Sequence, residues 1–261
     1  MFSENQFLFC QPFWDFKKRT PLKRNLLSSL MGSLLFLAAC RKDALLLQPE
    51  PTVAETCITQ TANPAGRSYP SDSVVAFECT TNFCGLMPLS RNNYWVYEDS
   101  IFNNGNFVRV QVDTMRFIIN WRSVSDGLIW WESNVDVGLP DRMYATDSAI
   151  YKIENRLFAP GFVDAKKDYS LFPGDSLRYL ASFEDAAAQG RSLRLQTPIS
   201  TLAGIFDNLV YFEKNARNYR RDQVYFKPGL GVVKYIREQA PMGSPFVRLQ
   251  QVSTLIAFHV D

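Results

Sequence analysis

Histidine is almost absent from this sequence. The single residue of this type among 261, His259, lies close to the C-terminal end. A Ser-His-Asp triad would depend on this one imidazole, and no G-x-S-x-G motif accompanies it. Zinc sites commonly combine histidine with cysteine, and His259 is far along the chain from every cysteine. We therefore expect neither a metal nor a cofactor, and we interpret His259 as structural.

The sequence also lacks an apolar run long enough to cross a membrane as a helix. Residues 25–39 carry no charge, but this segment falls short of the roughly 20 residues that such a helix needs. The cationic residues before it are Lys17, Lys18, Arg19, Lys23 and Arg24. This order predicts a secretory signal peptide over residues 1–39. The aromatic-rich stretch from Phe2 to Phe16 indicates either a start downstream of Met1 or a long leader.

The signal core ends in Leu37-Ala38-Ala39-Cys40, which resembles the lipobox of bacterial lipoproteins. The resemblance implies cleavage before Cys40 and acylation of its sulfur, for example with palmitate. Two or more acyl chains anchor a protein stably, because each buried CH₂ contributes about 0.8 kcal/mol. Cys40 is thus the predicted lipidation site. We expect the protein in the cell envelope, at the outer membrane, facing either the periplasm or the cell surface.

A basic excess is missing once the signal peptide is removed. Residues 1–39 hold five of the 28 Lys and Arg and two of the 26 Asp and Glu, which leaves 23 basic and 24 acidic residues. Binding to nucleic-acid phosphates depends on clustered cations. We therefore expect no nucleic-acid partner. The remaining part of the chain, 40–261, suffices for a sizeable core in one or two domains.

Cysteine is scarce after the lipobox. Cys57, Cys79 and Cys84 form an odd set, and in an oxidising compartment one disulfide and one free thiol explain it most simply. The sequence leaves all three pairings open. A disulfide that includes Cys57 would fix the N-terminal arm, whereas Cys79 with Cys84 would pin a local turn.

A change in composition divides the exported part of the chain. Four prolines occur between positions 40 and 71, with little hydrophobic periodicity. We interpret residues 40–85 as a lipidated tether, which runs to about Tyr69, followed by a cysteine-containing arm. Residues 86–261 form the predicted β-rich domain.

Sustained helical periodicity is missing from this domain, apart from one expected helical turn near 183–189. Short runs rich in aromatic and β-branched residues recur between Gly, Pro, Asp, Asn or Ser, which indicates strands. Asn103–Asn106 is a turn signal and predicts a hairpin. We predict an all-β body: an antiparallel curved sheet, sandwich or half-barrel of about ten strands. The predicted strands lie near 93–98, 107–113, 128–131, 150–153, 177–180, 193–196, 206–213, 223–226, 231–236 and 246–258.

Several motifs in this domain resemble those of uncharacterised bacterial lipoproteins, especially from Bacteroidota. Gly204-Ile205-Phe206 is followed by Tyr225–Lys234, which has the pattern Y-F-x-P-G-x-G-x-V-K. Met87-Pro88-Leu89 with Asn93–Tyr97 is similar to the start of the same domains. The resemblance covers about 86–240 and implies a structural pattern without a catalytic residue.

Tryptophan provides the first candidate for ligand contact. Exposed rings can stack on sugars or other flat apolar ligands, so Trp95, Trp130 and Trp131 are candidate contacts. Trp130 and Trp131 are adjacent and must face opposite sides of a sheet if both lie in one strand. We therefore expect one of them in the core and the other partly exposed.

Acidic pairs provide a second candidate. Glycoside hydrolysis needs two carboxyl groups at a defined separation. Such pairs also arise by chance, and solvated loops are the simpler interpretation. The cationic segment 213–222 is interpreted similarly, as a solvated hairpin tip rather than an anion site. The acidic pairs are Glu132 with Asp136, Asp164 with Asp168, and Glu184 with Asp185.

A last pattern is Asp, then Ser or Thr, then an aliphatic residue or Met. It resembles the O-glycosylation signal of Bacteroidota, although Asp-Ser pairs also open strands after turns. The candidate acceptors are Ser73, Ser100, Thr114, Ser148 and Ser176.

These patterns predict a membrane-anchored lipoprotein that acts as a non-enzymatic binding or structural module. Two alternatives stay open, namely an envelope glycan hydrolase that uses carboxylates and a carrier of an apolar ligand. The expected partners are the membrane, through the lipid anchor, and a glycan, an apolar ligand or an envelope protein.

Overall fold

The computed structural model describes residues 57–70, 73–154, 161–162, 164–171, 179–183 and 187–261. The predicted signal peptide, Cys40, Ser176 and the pair Glu184 with Asp185 lie outside these residues. In chain order the strands are β1 (Ile58–Thr59), β2 (Tyr69–Pro70), β3 (Val74–Phe77), β4 (Phe83–Cys84), β5 (Tyr94–Asn103), β6 (Asn106–Ser123), β7 (Ile129–Ser133), β8 (Arg142–Ala145), β9 (Ala149–Lys152), β10 (Gly161–Phe162), β11 (Lys166–Ser170), β12 (Tyr179–Ser182), β13 (Ala187–Arg194), β14 (Ile199–Thr201), β15 (Gly204–Phe206), β16 (Val210–Ala216), β17 (Arg220–Lys227), β18 (Gly231–Gln239) and β19 (Arg248–His259).

The described residues form an all-β structure, which confirms the predicted fold class. Most strands belong to one antiparallel sheet in the order β11-β9-β8-β7-β6-β5-β19-β18-β17-β16-β13-β12, and β3 also pairs with β6. Three two-stranded pairs lie beside it: β1 with β4, β2 with β10, and β14 with β15. Within the described ranges no helix is long and apolar enough to span a membrane.

The first predicted hairpin is present as β5 and β6. The two strands pair up to Asn103 opposite Asn106. Between them, Asn104 and Gly105 have φ values of 52° and 85°. These left-handed conformations suit a tight two-residue turn, which asparagine and glycine adopt at low cost. The turn signal in the sequence therefore sets the register of this hairpin.

The sheet curves until its two halves pack face to face. Lys214 on β16 lies 2.9 Å from Asp168 on β11, and the rings of Tyr169 and Phe212 on the same two strands are 4.8 Å apart. The loop between β7 and β8 also reaches across, because the Tyr169 hydroxyl donates to the carbonyl of Gly138. These contacts enclose the interior between the two halves of the sheet.

The main core fills the concave side of the sheet. Trp95, Tyr97, Trp131, Phe212 and Phe226 are fully buried there. The Trp95 and Tyr97 side chains donate to backbone carbonyls just before and within β18, at 2.8 and 2.9 Å. The aromatic residues that gave the strand signal are therefore packing residues of the interior.

A smaller apolar cluster lies on the opposite face of β7, β8 and β9. Trp130, Tyr144 and Tyr151 project from that face and pack with Tyr69. The rings of Tyr69 and Trp130 meet edge to face at 5.7 Å. The N-terminal arm therefore covers the outside of the sheet at this point.

Residues 57–70 pack against the sheet over their described length. Cys57 is disulfide-bonded to Cys84, and Tyr69 is fully buried. The backbone of Gly66 donates to Ala165, and that of Ala165 donates back to the arm, both at 2.8 Å. The prolines suggested a tether as far as Tyr69, but residues 57–70 pack on the sheet. Short irregular segments can pack in this way without hydrophobic periodicity, so the sequence pattern did not indicate this contact.

The helical turn expected near 183–189 is wrong for the residues described there. Ala187 begins β13 and pairs with Ser182 on β12. The inward positions of β13 are Ala188, Gly190 and Ser192. Small residues at inward positions give no clear strand pattern in the sequence. The strand is recognised only from its pairing with β12 and β16.

Candidate functional site

The inner face of the sheet changes from apolar to charged along the strands. The change runs from Phe212 to Lys214 in β16, from Val224 to Asp222 in β17, and from Tyr97 to Asp99 in β5. All six side chains are buried. Buried charges are costly unless they are paired, and perturbed charged groups concentrate at functional sites. We call this charged half of the interior the polar end.

Two neighbouring carboxyl groups lie in the polar end. Burial raises the pKa of Asp99 to about 6, the nearby Asp113 carboxylate adds to the rise, and hydrogen bonds with Ser253 and Gln251 oppose it. The Gln111 amide donates to Asp113 at 2.7 Å. Two carboxyl groups that share a buried place cannot both ionise at low cost. Asp99 therefore holds a proton more tightly than an exposed aspartate.

Asp168 lies between two lysines and joins the two halves of the sheet. Its oxygens are 2.9 Å from the Lys214 Nζ and 3.9 Å from the Lys152 Nζ, and none of the three side chains is more than 7% exposed. Lys152 also contacts Glu154. The Lys214 ammonium lies 4.9 Å from the centre of the Tyr169 ring. Each of these buried charges has an opposite charge beside it, which is the arrangement of a structural ion pair.

A second ionic group ties the loop between β7 and β8 to the opposite strands. Arg220 binds both oxygens of Asp222, at 2.9 and 2.8 Å. Asp136 on the loop accepts a bond from Arg237 at 3.0 Å and lies 3.5 Å from Arg220. Burial raises the pKa of Asp222, although Arg220 opposes the rise. These charges hold the loop and the sheet together.

An open cleft of about 590 Å³ lies on the surface at the same end of the strands. One wall is the turn between β16 and β17, where Asn218 has a φ of 59°. The other wall is the loop between β18 and β19. The Ala240 amide donates to the Tyr219 carbonyl at 2.7 Å and holds this loop beside the turn. The polar and aromatic residues of the lining are Asn215, Arg217, Asn218, Arg221, Phe246 and Arg248.

The lining of this arginine cleft combines three kinds of recognition group. Three guanidinium groups provide planar, always charged donors that match carboxylate or phosphate oxygens. Two amides can bond hydroxyl groups, and Phe246 presents an aromatic face that is 65% exposed. No carboxylate occurs among the lining residues that the structure describes. The cleft is therefore suited to an anionic ligand with hydroxyl groups and a flat face.

One of the three arginines is held in place by carboxylates behind the cleft. Arg221 bonds Glu213 at 2.9 Å and contacts Glu238 at 3.4 Å. Burial alone would raise the pKa of Glu213, but hydrogen bonds from Tyr211, Arg221 and Arg191 outweigh it and lower this pKa. Glu213 is therefore a charged anchor that orients Arg221. Arg217 and Arg248 are exposed and carry the accessible charge of the cleft.

The interpretation of segment 213–222 as a solvated hairpin tip is correct only at its end. The turn exists and exposes Arg217, but Lys214, Arg220 and Arg221 take part in buried or half-buried ion pairs. Their partners lie on β11 for Lys214, on the same strand for Arg220, and on the neighbouring strands β16 and β18 for Arg221. The charge run therefore does not mark a purely solvated segment.

The tryptophans are not exposed for stacking. Trp95 and Trp131 lie in the main core and Trp130 lies in the cluster under the arm, all with no exposed surface. Trp130 and Trp131 do face opposite sides of the sheet, as adjacent strand residues must. The expectation that one of the two is partly exposed is wrong, because Tyr69 and its neighbours cover the outer face.

The three cysteines of the arm form one disulfide and leave one buried thiol. The disulfide joins Cys57 to Cys84, with their Cα atoms 5.3 Å apart, and Cys79 is a buried thiol. This pairing closes a loop between residues 27 positions apart and fixes the start of the arm. Lipidation of Cys40 stays a prediction.

The carboxylates of the proposed acidic pairs are engaged with other groups. Glu132 accepts bonds from Trp121 at 2.7 Å and Arg142 at 2.8 Å, and Asp164 bonds Ser68. Their partners in the pairs, Asp136 and Asp168, take part in the two ionic groups of the polar end. None of these four acids is presented as a free pair in a cleft.

The remaining candidates lie at the surface. His259 stacks on Tyr94 at 5.7 Å, and its Nε2 is 2.9 Å from Asp261. Among the residues with defined positions, no cluster of three or more His, Cys, Asp or Glu could hold a metal ion. The O-glycosylation sites stay a prediction. Their partly exposed members are Ser73, Ser100, Thr114 and Ser148.

Sequence reasoning missed the arginine cleft. The sequence pattern places Phe246 and Arg248 inside a predicted strand, but β19 begins only at Arg248 and Phe246 lies in the preceding loop. Arg217 and Arg248 are far apart in sequence and approach each other because β17, β18 and β19 are neighbours. The exposed Phe246 beside Pro245 was the available signal of a loop.

Comparisons with known proteins give only weak similarities. No protein-family model and no curated protein matches this chain. A candidate lipoprotein from Parabacteroides distasonis is 12% identical with a TM-score of 0.35, and a candidate exported protein with a YmcC-like fold from Bacteroides fragilis is 10% identical with a TM-score of 0.33. Each match covers 67% of this chain and 99% of the other. Similarity at this level assigns neither a family nor a function, so the site is judged from its own geometry.

Proposed function

We propose that this protein is a lipid-anchored lipoprotein of the cell envelope whose β-rich body is a non-enzymatic module that binds an acidic glycan. The observation that carries the proposal is Leu37-Ala38-Ala39-Cys40 directly after an uncharged segment of signal-core length. The disulfide between Cys57 and Cys84 supports export, because such bonds persist in oxidising compartments. An outer-membrane location is part of this proposal.

The position of the arginine cleft in the sheet supports a binding role. Leu86, two residues after Cys84, accepts a bond from Gly229 at 3.0 Å, just beyond the C-terminal end of β17. The cleft lies at the other end of β17, whose eight residues span about 25 Å. A tether that enters the body at Cys57 would therefore leave the cleft on the far side, accessible to a ligand.

The composition of the cleft supports an acidic glycan as the ligand. Arg217 and Arg248 can bind a carboxylate or phosphate group on the sugar, and the amides of Asn215 and Asn218 can bind its hydroxyl groups. The exposed Phe246 ring can stack on a sugar face. A free metabolite would fit an enclosed pocket better than this open cleft, which suits part of a longer chain.

The two alternative functions receive less support from the described residues. Glycan hydrolysis needs two available carboxyl groups, whereas Glu132 and Asp168 are held by arginine or lysine partners. An apolar carrier needs space on the concave side, where Trp95, Phe212 and Phe226 are fully buried instead. Binding at the outer surface is therefore the function that the geometry favours.

Binding to the cleft is testable with oligogalacturonate, an acidic sugar chain. We expect the purified protein to bind it in isothermal titration calorimetry, and Arg217→Ala or Arg248→Ala to weaken binding about tenfold or more, because each removes a charge-assisted hydrogen bond. Arg194→Ala is the matched control, since it removes an exposed arginine outside the cleft.

A neutral oligosaccharide of equal length should bind poorly. Binding by the two cleft variants as tight as that of the unmodified protein, or no binding of the acidic oligosaccharide by the unmodified protein, would contradict the glycan assignment and leave the anchoring proposal standing.

Anchoring is testable through Cys40. We expect Cys40→Ala to abolish incorporation of an alkyne-labelled palmitate analogue and to move the protein from the carbonate-washed membrane fraction to a soluble or uncleaved precursor form, because no sulfur remains for the acyl chain. Cys79→Ala is the control, since this buried thiol lies outside the lipobox. Continued membrane association of processed Cys40→Ala protein without label would overturn the lipoprotein assignment.

A further inference from the structure

The hairpin of β14 and β15 carries apolar side chains at its tip. Thr201 pairs with Gly204, so Leu202 and Ala203 form the turn between the two strands. The Ala203 amide donates to the Thr201 hydroxyl at 3.0 Å. Leu202 is 82% exposed and Ile205, on the second strand, is 76% exposed. Tight turns usually carry Gly, Asn, Asp or Ser, so the turn itself does not require an exposed leucine.

The base of this hairpin is fixed to the body, and its tip extends from it. Phe206 is buried, and its ring lies 6.2 Å from that of Phe258 on β19. Ile199, opposite Phe206 in the hairpin, packs against the main core. At the tip, no atom of the described residues beyond the chain neighbours lies within 4 Å of a Cβ placed on Gly204. The hairpin is therefore a supported projection with an apolar tip in solvent.

The hairpin lies at the end of the sheet where the N-terminal part of the chain enters the body. Lys227, at the C-terminal end of β17, donates to the carbonyl and the carboxylate of Asp207 at 2.8 and 2.9 Å, directly after β15. Two residues later, Gly229 donates to the carbonyl of Leu86 at 3.0 Å. Leu86 follows the disulfide-bonded Cys84 by two residues. One turn of the chain therefore contacts both the base of the hairpin and the entry point.

We propose that this end of the body docks on the membrane surface, with Leu202 and Ile205 inserted at the level of the lipid headgroups. This inference rests on the lipid anchor at Cys40 proposed above. Residues 41–56 separate Cys40 from Cys57, which limits the distance between the two Cα atoms to about 60 Å. A short tether gives a second, weak contact a high effective concentration. The bilayer is thus the apolar phase that an anchored chain always keeps within reach of the hairpin.

A cavity of about 410 Å³ at the base of the hairpin supports a lipid surface as the occupant. Its cations are Arg194, which is exposed, and Lys227, which is paired with Asp207. No carboxylate occurs among the lining residues that the structure describes, and anionic headgroups attract arginine at a bilayer surface. Arg194 is therefore placed to contact a headgroup beside the inserted tip. The apolar part of the lining is Leu171, Leu195, Leu209, Val210 and Pro228.

The insertion is expected to be shallow. In the described part of the chain β14 and β15 pair only with each other, so the outer edges of the hairpin have no strand partner. Unpaired backbone groups are costly in the hydrocarbon core of a bilayer, whereas water and headgroups satisfy them at its boundary. The tip therefore reaches the boundary, and the base stays among the headgroups.

Fluorescence quenching tests the docking. Full-length protein, purified from host membranes, is reconstituted in vesicles of phosphatidylethanolamine and phosphatidylglycerol whose acyl chains carry nitroxide quenchers. Ser200→Cys, opposite Ile205 in the hairpin, carries the fluorophore NBD, and the buried thiol of Cys79 does not compete for the reagent. Met242→Cys, fully exposed in the loop between β18 and β19, is the matched control at the far end. We expect strong quenching at position 200 and little at position 242.

Removing the apolar tip gives a second readout. Leu202→Ser with Ile205→Ser is expected to lower the ratio of docked to undocked protein at least about tenfold, because two apolar side chains no longer gain from leaving water. Val108→Ser with Val110→Ser is the control. It removes two exposed apolar side chains next to the turn of β5 and β6, where Gly105 donates to Leu249 at the far end. Circular dichroism should show equal folding of all the proteins.

Failure of docking can be distinguished from failure of the anchor. Equal quenching at positions 200 and 242, or unchanged quenching after the double serine substitution, would overturn docking if intact mass shows the acyl chains, and would leave the anchor standing. A mass without acyl chains would overturn the anchor and docking with it. An unquenched label at position 200 that is shielded from a soluble quencher would assign the tip to a protein contact instead, with a second copy in vesicles or another envelope protein in native membranes.

Discussion

Replacing Asp168 with asparagine is expected to lower the free energy of unfolding by about 3–5 kcal/mol, the largest effect that we anticipate from a single isosteric change. The substitution keeps the shape but leaves the buried ammonium groups of Lys214 and Lys152 without the carboxylate that lies between them. Urea unfolding of the Cys40→Ala protein, followed by tryptophan fluorescence, measures this loss. Trp95, Trp130 and Trp131 report on it because all three are buried.

The matched control is Asp207→Asn. This residue forms a pair of the same type with Lys227, also at 2.9 Å, but at the surface, where solvent screens it. We expect its stability to stay close to that of the parent protein. The double variant Asp168→Asn with Lys214→Met should recover part of the loss, because the ammonium that faces the lost carboxylate is then removed as well. Equal losses from Asp168→Asn and Asp207→Asn would contradict a buried ionic contact between the sheet halves.

Gly138→Ala is expected to destabilise the protein by about 3 kcal/mol, through two separate costs. The residue has a φ of 81°, which is strained for alanine by about 1 kcal/mol. Its new Cβ would lie 2.6 Å from Val224 and 2.7 Å from Tyr235, both fully buried, and such overpacking costs about 1–3 kcal/mol. Urea unfolding, followed by tryptophan fluorescence, measures the combined loss in the free energy of unfolding.

Gly127→Ala separates the two costs. Gly127 has a similar φ of 73°, but no atom lies within 4 Å of a Cβ placed there. Its variant should therefore lose only the backbone part, about 1 kcal/mol. If both variants lose the same amount, the loop between β7 and β8 does not pack closely on the sheet.

The local parts of the fold were predictable from the sequence. Asn104 and Gly105 specified the hairpin of β5 and β6, because few other residues adopt a left-handed conformation at low cost. Adjacency of Trp130 and Trp131 correctly placed them on opposite faces. The alternation in β6 did not give the buried face, because Val110 and Val112 are exposed and Asp113 lies beside the buried Asp99. What the sequence did not reveal is which faces are covered. Trp130 is buried by Tyr69, which lies far earlier in the chain, and no local sequence pattern indicates that contact.

The arginine cleft was beyond sequence reasoning for a similar reason. Arg217 precedes β17 and Arg248 begins β19, so the two residues meet only through the order of strands in the sheet. The polar end was also not predictable from the sequence, because its inward-facing residues are charged. Lys214, Asp222 and Asp99 occupy inward positions, and charge at such positions removes the alternation of apolar and polar residues that identifies an inner face. Their burial depends on partners that the fold brings together.

The order of strands in the sheet has a consequence for how the chain reaches its final state. β19, the last strand in the sequence, lies between β5 and β18, and its partner β5 is among the first strands to be synthesised. The two halves of the sheet therefore have no continuous ladder until residues 248–259 are available. Closing so long a loop is entropically costly and slow. A chain with this topology completes its sheet only after β19 has been synthesised.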